Sequence, residues 1–142
     1  MKLLIDTNVI LDMVLKRKSC DISMELFRKI RRNGINAYIT ASTVTDLFYI
    51  IRKNIHDTEQ TYTVMKNIFK LVTVFAVTEK DIQDAFREKW GDFEDCVQYM
   101  TGKNNGVDYI VTANQKDYSD ALIPVLTPVA CIEKMDYIEN DM

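Results

Sequence analysis

Histidine is the scarcest chemically active residue of this 142-residue chain, which contains only His56. That residue lies in RKNIHDTEQ, a polar stretch typical of a loop. A three-histidine zinc site, a Ser-His-Asp triad or a histidine-based nuclease would each need it, and no cysteine pair stands beside it. The scarcity argues against all three and predicts that any chemistry depends on carboxylates.

Cysteine, glycine, proline and long apolar runs are scarce as well. The three cysteines, Cys20, Cys96 and Cys131, are odd in number and widely spaced, which favours a reducing compartment over a disulfide framework. No apolar run reaches the roughly 20 residues of a membrane span, and Asp6 interrupts the apolar stretch where a signal peptide would lie. We therefore expect a cytoplasmic protein without a membrane segment, folded as a single domain over residues 1–142.

Positive charge is not in excess, because the formal net charge is −3. Its distribution is uneven: residues 1–53 contain ten Lys or Arg against five Asp or Glu, whereas residues 54–142 contain eight against sixteen. Much of the positive charge lies between Lys16 and Arg32. Two interpretations remain open, a solvated helix face and a local patch that attracts phosphate.

Strand and helix patterns alternate along the chain. Helical spacing of apolar residues occupies 9–14, 21–34, 44–51, 58–71, 79–90 and 92–104, with Gly34 and Gly91 as expected helix stops. Five short apolar segments between or after these helices are predicted strands: KLLI, NAYIT, VTVFAV, VDYIVT and IPVL. This alternation predicts an α/β domain with a parallel sheet covered on both sides.

Four carboxylates follow the predicted strand ends. Asp6 comes directly after the first strand, Asp46 about one helical turn past the second, and Asp117 shortly after the fourth. Asp95 lies in the first turn of its helix. Because the carboxyl ends of parallel strands share one edge, and sites form where the strand order reverses, we expect these side chains to meet there.

Each carboxylate also has a purely structural interpretation as a helix cap. Thr43 with Asp46 and Asp92 with Asp95 have capping-box spacing, and Asn114 or Asp117 suits the start of a short helix. Asp6 fits that interpretation worst, since its polar neighbours can cap without adding a charge. Four converging carboxylates would repel one another and raise each other's pKa unless a cation neutralised them.

A site whose ligands are all oxygen atoms predicts which metal ion binds and which reaction that ion supports. Carboxylates without a nearby histidine or cysteine suit Mg²⁺ or Mn²⁺ rather than zinc. Such an ion activates water and stabilises charge on a phosphoryl oxygen. The matching substrate is a phosphodiester.

Four segments of the chain resemble the signature segments of the PIN-domain family, in the right order and spacing. They are LLIDTNVILD, ITASTVTDLFYIIRK, GDFEDCVQY and VDYIVTANQKDY. The resemblance runs from Leu3 to about Val129 and is closest to small bacterial stand-alone proteins related to VapC-type toxins. It implies a Rossmann-like three-layer α/β/α fold, a metal-dependent endoribonuclease, a homodimer and often an antitoxin partner.

The resemblance also implies roles for individual residues. Asp6, Asp95 and Asp117 match metal-binding acids of the family. Asp46 stands where the family usually has Glu. Because Asp is one methylene shorter than Glu, Asp46 would reach the ion only through water. Whether Asn114 or Asp117 fills the fourth position stays open. Asp12 is interpreted as a helix-surface or supporting group. The expected supporting residues are Asn8, Asp92, Thr112 (which would orient Asp6 by a hydrogen bond) and Asn114.

The implied reaction is in-line attack of water on single-stranded or loop RNA, leaving a 5′-phosphate and a 3′-hydroxyl. Tyr49, Tyr99 and Tyr118 are candidates for base stacking or for the core.

The main alternative is a catalytically degenerate PIN fold that serves as a binding or dimerisation module. A haloacid-dehalogenase-type phosphatase is disfavoured because it needs Asp where Asn8 stands, and a receiver-like domain lacks its late Lys and acidic pair. The residues expected to guide the RNA backbone are Lys16, Arg17, Lys18, Arg52 and Lys53.

Overall fold

A computed structural model describes residues 1–140 of the chain. Its centre is one sheet of five parallel strands: β1 Lys2–Ile5, β2 Asn36–Thr40, β3 Thr73–Phe75, β4 Tyr109–Val111 and β5 Val125–Leu126. In the sheet they lie in the order β3-β2-β1-β4-β5. The helices are α1 Thr7–Val14, α2 Cys20–Arg32, α3 Ala41–Ile55, α4 Thr58–Ile68, α5 Glu79–Glu88, α6 Phe93–Asn104 and α7 Pro128–Asn140, with a 3-10 helix at Gln115–Tyr118.

The central strand β1 is buried on both faces, which explains why its sequence is continuously apolar. Leu3 and Ile5 point into a core formed with α1–α4 and α7, whereas Leu4 points to the opposite side, into a core formed with α5 and α6. Side chains alternate across a strand, so one apolar run supplies both cores. The three-layer α/β/α arrangement and the parallel sheet are confirmed.

Strand order reverses between β1 and β4, and this switch point determines where Asp6 lies. The chain leaves β1 at its carboxyl end, where the backbone N–H of Asp6 donates to the Val111 carbonyl at 2.9 Å. From β1 the chain continues to β2 on one side, and from β4 it continues to β5 on the other, so a crevice opens between the ends of β1 and β4 directly above this residue. The sheet topology therefore places the first carboxylate in the position expected from the sequence.

Several predicted boundaries differ from the structure. Helix α5 ends at Glu88 and is capped by Lys89 in the left-handed region at φ 55°, so Gly91 is not its stop. Strand β3 is shorter than predicted and lies at the sheet edge, with Val74 38% exposed. Helix α7 was not predicted, although Thr127 accepts a hydrogen bond from Ala130 N at 3.1 Å and Pro128 occupies the first helical position. Within residues 1–140, every helix is too short or too polar to cross a bilayer.

A buried polar network joins α5 to α6 and so sets the position of the helix that carries Asp95. The Asp81 carboxylate accepts from Asn104 Nδ2 at 2.7 Å and from Thr101 Oγ1 at 3.2 Å, and it closes a capping box with Thr78. Burial alone would raise the pKa of Asp81, but these hydrogen bonds outweigh it and lower that pKa. Asp81 therefore stays ionised and fastens the two helices.

Gly102 allows α6 to approach the central strand closely. A Cβ at this position would lie 2.8 Å from Leu4 Cδ2 and 3.1 Å from Val107 Cγ2, and Leu4 is fully buried. We expect Gly102→Ala to lower the free energy of unfolding by about 1–2 kcal/mol net, since overpacking outweighs the gain in helix propensity. Urea denaturation measures this change. Gly91→Ala is the matched control, because a Cβ there meets nothing within 4 Å, and equal stability of the two variants would contradict the prediction.

Candidate active site

The Asp6 carboxylate is held rigidly by three hydrogen bonds, one of which caps helix α1, so Asp6 is an N-cap after all. Oδ1 accepts from Thr7 N at 2.9 Å and from the Tyr118 hydroxyl at 3.2 Å, and Oδ2 accepts from Thr112 Oγ1 at 2.9 Å. Burial raises the pKa of Asp6, while these hydrogen bonds act in the opposite direction. The hydrogen bond expected from Thr112 is therefore present, and a second donor, Tyr118, was not foreseen in this role.

Asp6 opens onto a cleft of about 350 Å³ at the carboxyl edge of the sheet. None of the described residues that line this cleft is a Lys, Arg or His. Its electrostatic character is therefore negative, and any ligand that enters must be a cation or arrive with one. The carboxylates lining the cleft are Asp6, Asp46, Asp92, Glu94, Asp95 and Asp117.

Asp95 is the most strongly perturbed carboxylate of the cleft. It lies in the first turn of α6, where its backbone N–H donates to the N-cap residue Asp92 at 3.0 Å. Burial, followed by repulsion from Asp6, Asp92 and Asp117, raises the pKa of Asp95 to about 7. Asp95 therefore interacts with Asp6 and Asp117, two of the acids predicted to lie near it, whereas Asp46 is not among the charges that act on it, and Asp92 is the helix cap that the sequence allowed.

The position of Asp46 corrects one interpretation and reveals a residue that was missed. Helix α3 is capped by Thr40, whose Oγ1 accepts from Thr43 N at 3.3 Å, so Thr43 and Asp46 do not form a capping box. Asp46 instead lines the cleft together with Glu94. Repulsion from Asp46 is the largest cause of the raised pKa of Glu94. The sequence predicted Asp92 and Asp95 at the site but not Glu94, although Glu94 is equally close to the helix start.

The fourth strand end presents Asp117 rather than Asn114 to the cleft. Asp117 lines the cleft, and Asn114 Nδ2 donates to its Oδ1 at 3.1 Å. Asn114 in turn donates its backbone N–H to Thr112 Oγ1 at 3.2 Å. Asn114 thus connects Asp117 to the hydroxyl that holds Asp6.

The predicted basic residues lie in two separate places. Arg17 is near the cleft, because its Nη1 donates to Asn8 Oδ1 at 3.4 Å and lies 3.6 Å from Asp12. Lys16 and Lys18 lie in the turn after α1, outside the residues that line the cleft. The remaining two, Arg52 and Lys53, border a neighbouring depression of about 400 Å³ together with Tyr49, His56 and Thr58.

Of the three tyrosines considered for base stacking, only one is accessible. Tyr49 is 64% exposed and borders both the acidic cleft and the basic depression. Tyr99 and Tyr118 are 1% and 2% exposed. Tyr99 stacks on Trp90 at 4.9 Å between ring centroids, and Tyr118 donates to Asp6, so stacking of bases on these two is excluded.

The donor set fits a hard divalent cation. Every charged group of the cleft is a carboxylate, the ligand type that Mg²⁺ and Mn²⁺ prefer. As they stand in residues 1–140, no three His, Cys, Asp or Glu side chains converge on one ligating point. Mg²⁺ commonly binds through one or two carboxylates and keeps several waters, so its binding does not require such convergence.

The chain is similar to known proteins in sequence and in fold. The family model described as "PIN domain" matches residues 2–116. Ribonuclease VapC1 of Aquifex aeolicus is 23% identical over 132 residues, which cover 89% of this chain and 90% of that protein. VapBC2 of Rickettsia felis, solved bound to a promoter DNA fragment, superposes with TM-score 0.70 at 14% identity, covering 89% of this chain and 98% of that one. VapC20 of Mycobacterium tuberculosis, described as a sarcin-ricin loop cleaving toxin, gives 0.64 at 8% identity, covering 83% and 94%.

Proposed function

This chain belongs to the PIN-domain family, and from that premise we propose that it is a metal-dependent endoribonuclease that hydrolyses phosphodiester bonds in single-stranded or loop RNA. One observation carries the proposal. Six carboxylates line a single cleft at the switch point of the sheet, with no basic side chain among the described residues that line it. Such an arrangement destabilises the fold unless a cation binds, and carboxylate-bound Mg²⁺ or Mn²⁺ is suited to phosphodiester hydrolysis.

Asp6 and Asp95 would hold the cation, and Asp117 and Asp46 would contribute as weaker ligands or through water. When bound, the cation supplies activation of water and neutralisation of charge on the phosphodiester. Thr112 and Tyr118 keep both Asp6 oxygens in a fixed orientation, and Asn114 holds one oxygen of Asp117. Hydrogen bonds of this supporting kind strengthen ligand positioning in metal sites.

Glu94 would accept a proton from the attacking water. Its pKa is raised chiefly by Asp46, and a carboxylate with a raised pKa is a better base near neutral pH. We expect Glu94→Gln to lower kcat by about 100-fold with little change in Mn²⁺ affinity. Asp46→Asn is expected chiefly to weaken Mn²⁺ binding, with a smaller fall in kcat because it also removes the repulsion that raises the pKa of Glu94. Single-turnover cleavage with titrated Mn²⁺ separates the two effects, and the same pattern in both variants would contradict these assignments.

RNA would enter along the surface that joins the acidic cleft to the basic depression. Tyr49 lies between them with an exposed ring on which a base can stack, and Arg52, Lys53 and His56 follow. Alternation of aromatic and basic side chains is how proteins hold single strands without reading their sequence. A single strand avoids the unpairing that a duplex would require.

The double variant Arg52→Ala/Lys53→Ala tests this path. We expect KM for a single-stranded RNA to rise about tenfold while kcat changes little, because the lost contacts bind substrate and transition state equally. The slope of log affinity against log salt should also become shallower by about one to two. Lys66→Ala/Lys70→Ala removes two exposed charges from α4 and the turn after it and is the matched control. Equal KM values in the two double variants would argue against the path.

We further propose that the protein is the cytoplasmic toxin of a toxin–antitoxin pair, is inhibited by an antitoxin protein, and forms a homodimer. The presence of toxin–antitoxin complexes among the similar structures supports the antitoxin. Co-expression with the product of the neighbouring reading frame, followed by light scattering, tests partner and subunit number together.

Cleavage of labelled single-stranded RNA is the direct test of the proposed function. We expect cleavage with Mg²⁺ or Mn²⁺, none with EDTA, and a 5′-phosphate on the product. Metal-independent cleavage would indicate contaminating ribonuclease. Absence of cleavage across single-stranded and loop RNAs, with Mn²⁺ binding also absent, would favour the alternative of a binding or dimerisation module.

A further inference from the structure

Gln98 has a buried oxygen without a partner at the acidic cleft. It lies on α6 three residues after Asp95, lines the cleft and is only 4% exposed. Among the residues that the structure describes, no donor reaches its Oε1 atom. A buried acceptor left unpaired is costly, so native proteins rarely retain one without a reason. Within residues 1–140, two other buried polar atoms lack partners, Ser23 Oγ and Trp90 Nε1, but neither residue lines the cleft.

The surroundings of Gln98 limit what can satisfy this oxygen. Residues three apart on a helix share a face, so Gln98 and Asp95 present their side chains to the same region. That region is lined by carboxylates, which accept hydrogen bonds and do not donate them when ionised. When these carboxylates are ionised, the oxygen therefore needs a cation, or a water molecule ordered by one.

We propose that Gln98 is a further ligand of the divalent cation and that its Oε1 atom binds the ion directly or through one water molecule. This inference rests on the proposed function, because it places one more ligand at the same site. An amide oxygen is a ligand that hard cations accept, and being neutral it adds no repulsion to a cleft that already contains six carboxylates. Gln98 thereby fixes the ion on the α6 side of the cleft, next to Asp95.

Two substitutions at this position should change cation affinity in opposite directions. Gln98→Met keeps the length of the side chain but removes the hard oxygen, and we expect the Kd for Mn²⁺ to rise about tenfold or more. The metal-free Tm should stay the same or rise, since an unpaired buried amide is removed. Gln98→Glu keeps an oxygen and adds a charge, so the Kd should fall several-fold while the metal-free Tm decreases.

Isothermal titration of Mn²⁺ into the EDTA-stripped full chain measures the Kd, and thermal unfolding of the same samples measures the Tm. Gln60→Met, at an exposed position of α4, is the matched control and should bind like the wild type. A wild-type Kd in both Gln98 variants, or equal weakening in both, would overturn the proposal. If the wild type binds Mn²⁺ and cleaves RNA, only this inference then fails. If it does neither, the proposed function fails as well.

Discussion

Asp6→Asn is expected to reduce Mg²⁺-dependent RNA cleavage by about a thousandfold, the largest effect of any single substitution in this chain. Within the described residues 1–140, Asp6 is the one cleft carboxylate with both oxygens fixed by hydrogen bonds, from Thr7, Thr112 and Tyr118. Asparagine preserves the shape and keeps one acceptor oxygen, but it removes the charge. The variant should therefore fold normally and lose cation binding, which Mn²⁺ titration and cleavage of a labelled RNA measure on the same preparation.

The matched control is Asp21→Asn, which removes an equal charge from an exposed position in the first turn of α2. Both variants should retain the wild-type circular dichroism spectrum. The metal-free Asp6→Asn protein should be no less stable than the wild type, because burial and Asp117 already disfavour the ionised form of Asp6. Retention of metal-dependent cleavage by Asp6→Asn at the wild-type rate would remove Asp6 from the site and, with it, the assignment of the cleft as the catalytic centre.

The parts of the fold that could be predicted from the sequence are those in which the residue pattern of a single segment shows whether that segment is buried. The apolar run of β1 predicts a central strand, and a carboxylate at its end predicts a site at the switch point, because parallel strands share an edge. Helix α7 escaped prediction because its apolar face is weak: in the described part of the helix only Cys131 and Met135 are buried. Its position depends on packing against α2, including an ion pair of Lys29 with Asp136, which no local pattern reveals.

The candidate site was predictable to the level of the strand-end acids but not to the level of their neighbours. Asp6, Asp95 and Asp117 follow strands or open a helix, so topology alone brings them together. Glu94 and Gln98 lie in the cleft because of how α6 is rotated about its axis. That rotation depends on the buried Asp81 network and on the close contact at Gly102, both of which are tertiary features.

Asp95→Asn is expected to lose at least 100-fold in cleavage and yet to stabilise the metal-free protein near neutral pH. The pKa of Asp95 is raised from 3.8 to about 7, so between these values the folded chain keeps a proton that the unfolded chain has released. The stabilisation by this proton is complete below about pH 4 and is lost as pH rises through 7. Asparagine cannot ionise, so the variant does not lose this stabilisation as pH rises.

Urea unfolding of the metal-free wild type and variant between pH 4 and 8 measures this difference. The two proteins should be equally stable at pH 4, and at pH 8 the variant should be more stable by about 1–2 kcal/mol, a value reduced for solvent screening because this carboxylate is only half-buried. Saturating Mg²⁺ should reverse the order at pH 8, since the ion binds the ionised wild type. Parallel pH curves for the two proteins would show that Asp95 does not carry the proton. A carboxylate that destabilises the empty fold and stabilises the loaded one is explained by the cation, not by capping α6, a role that Asp92 already fills.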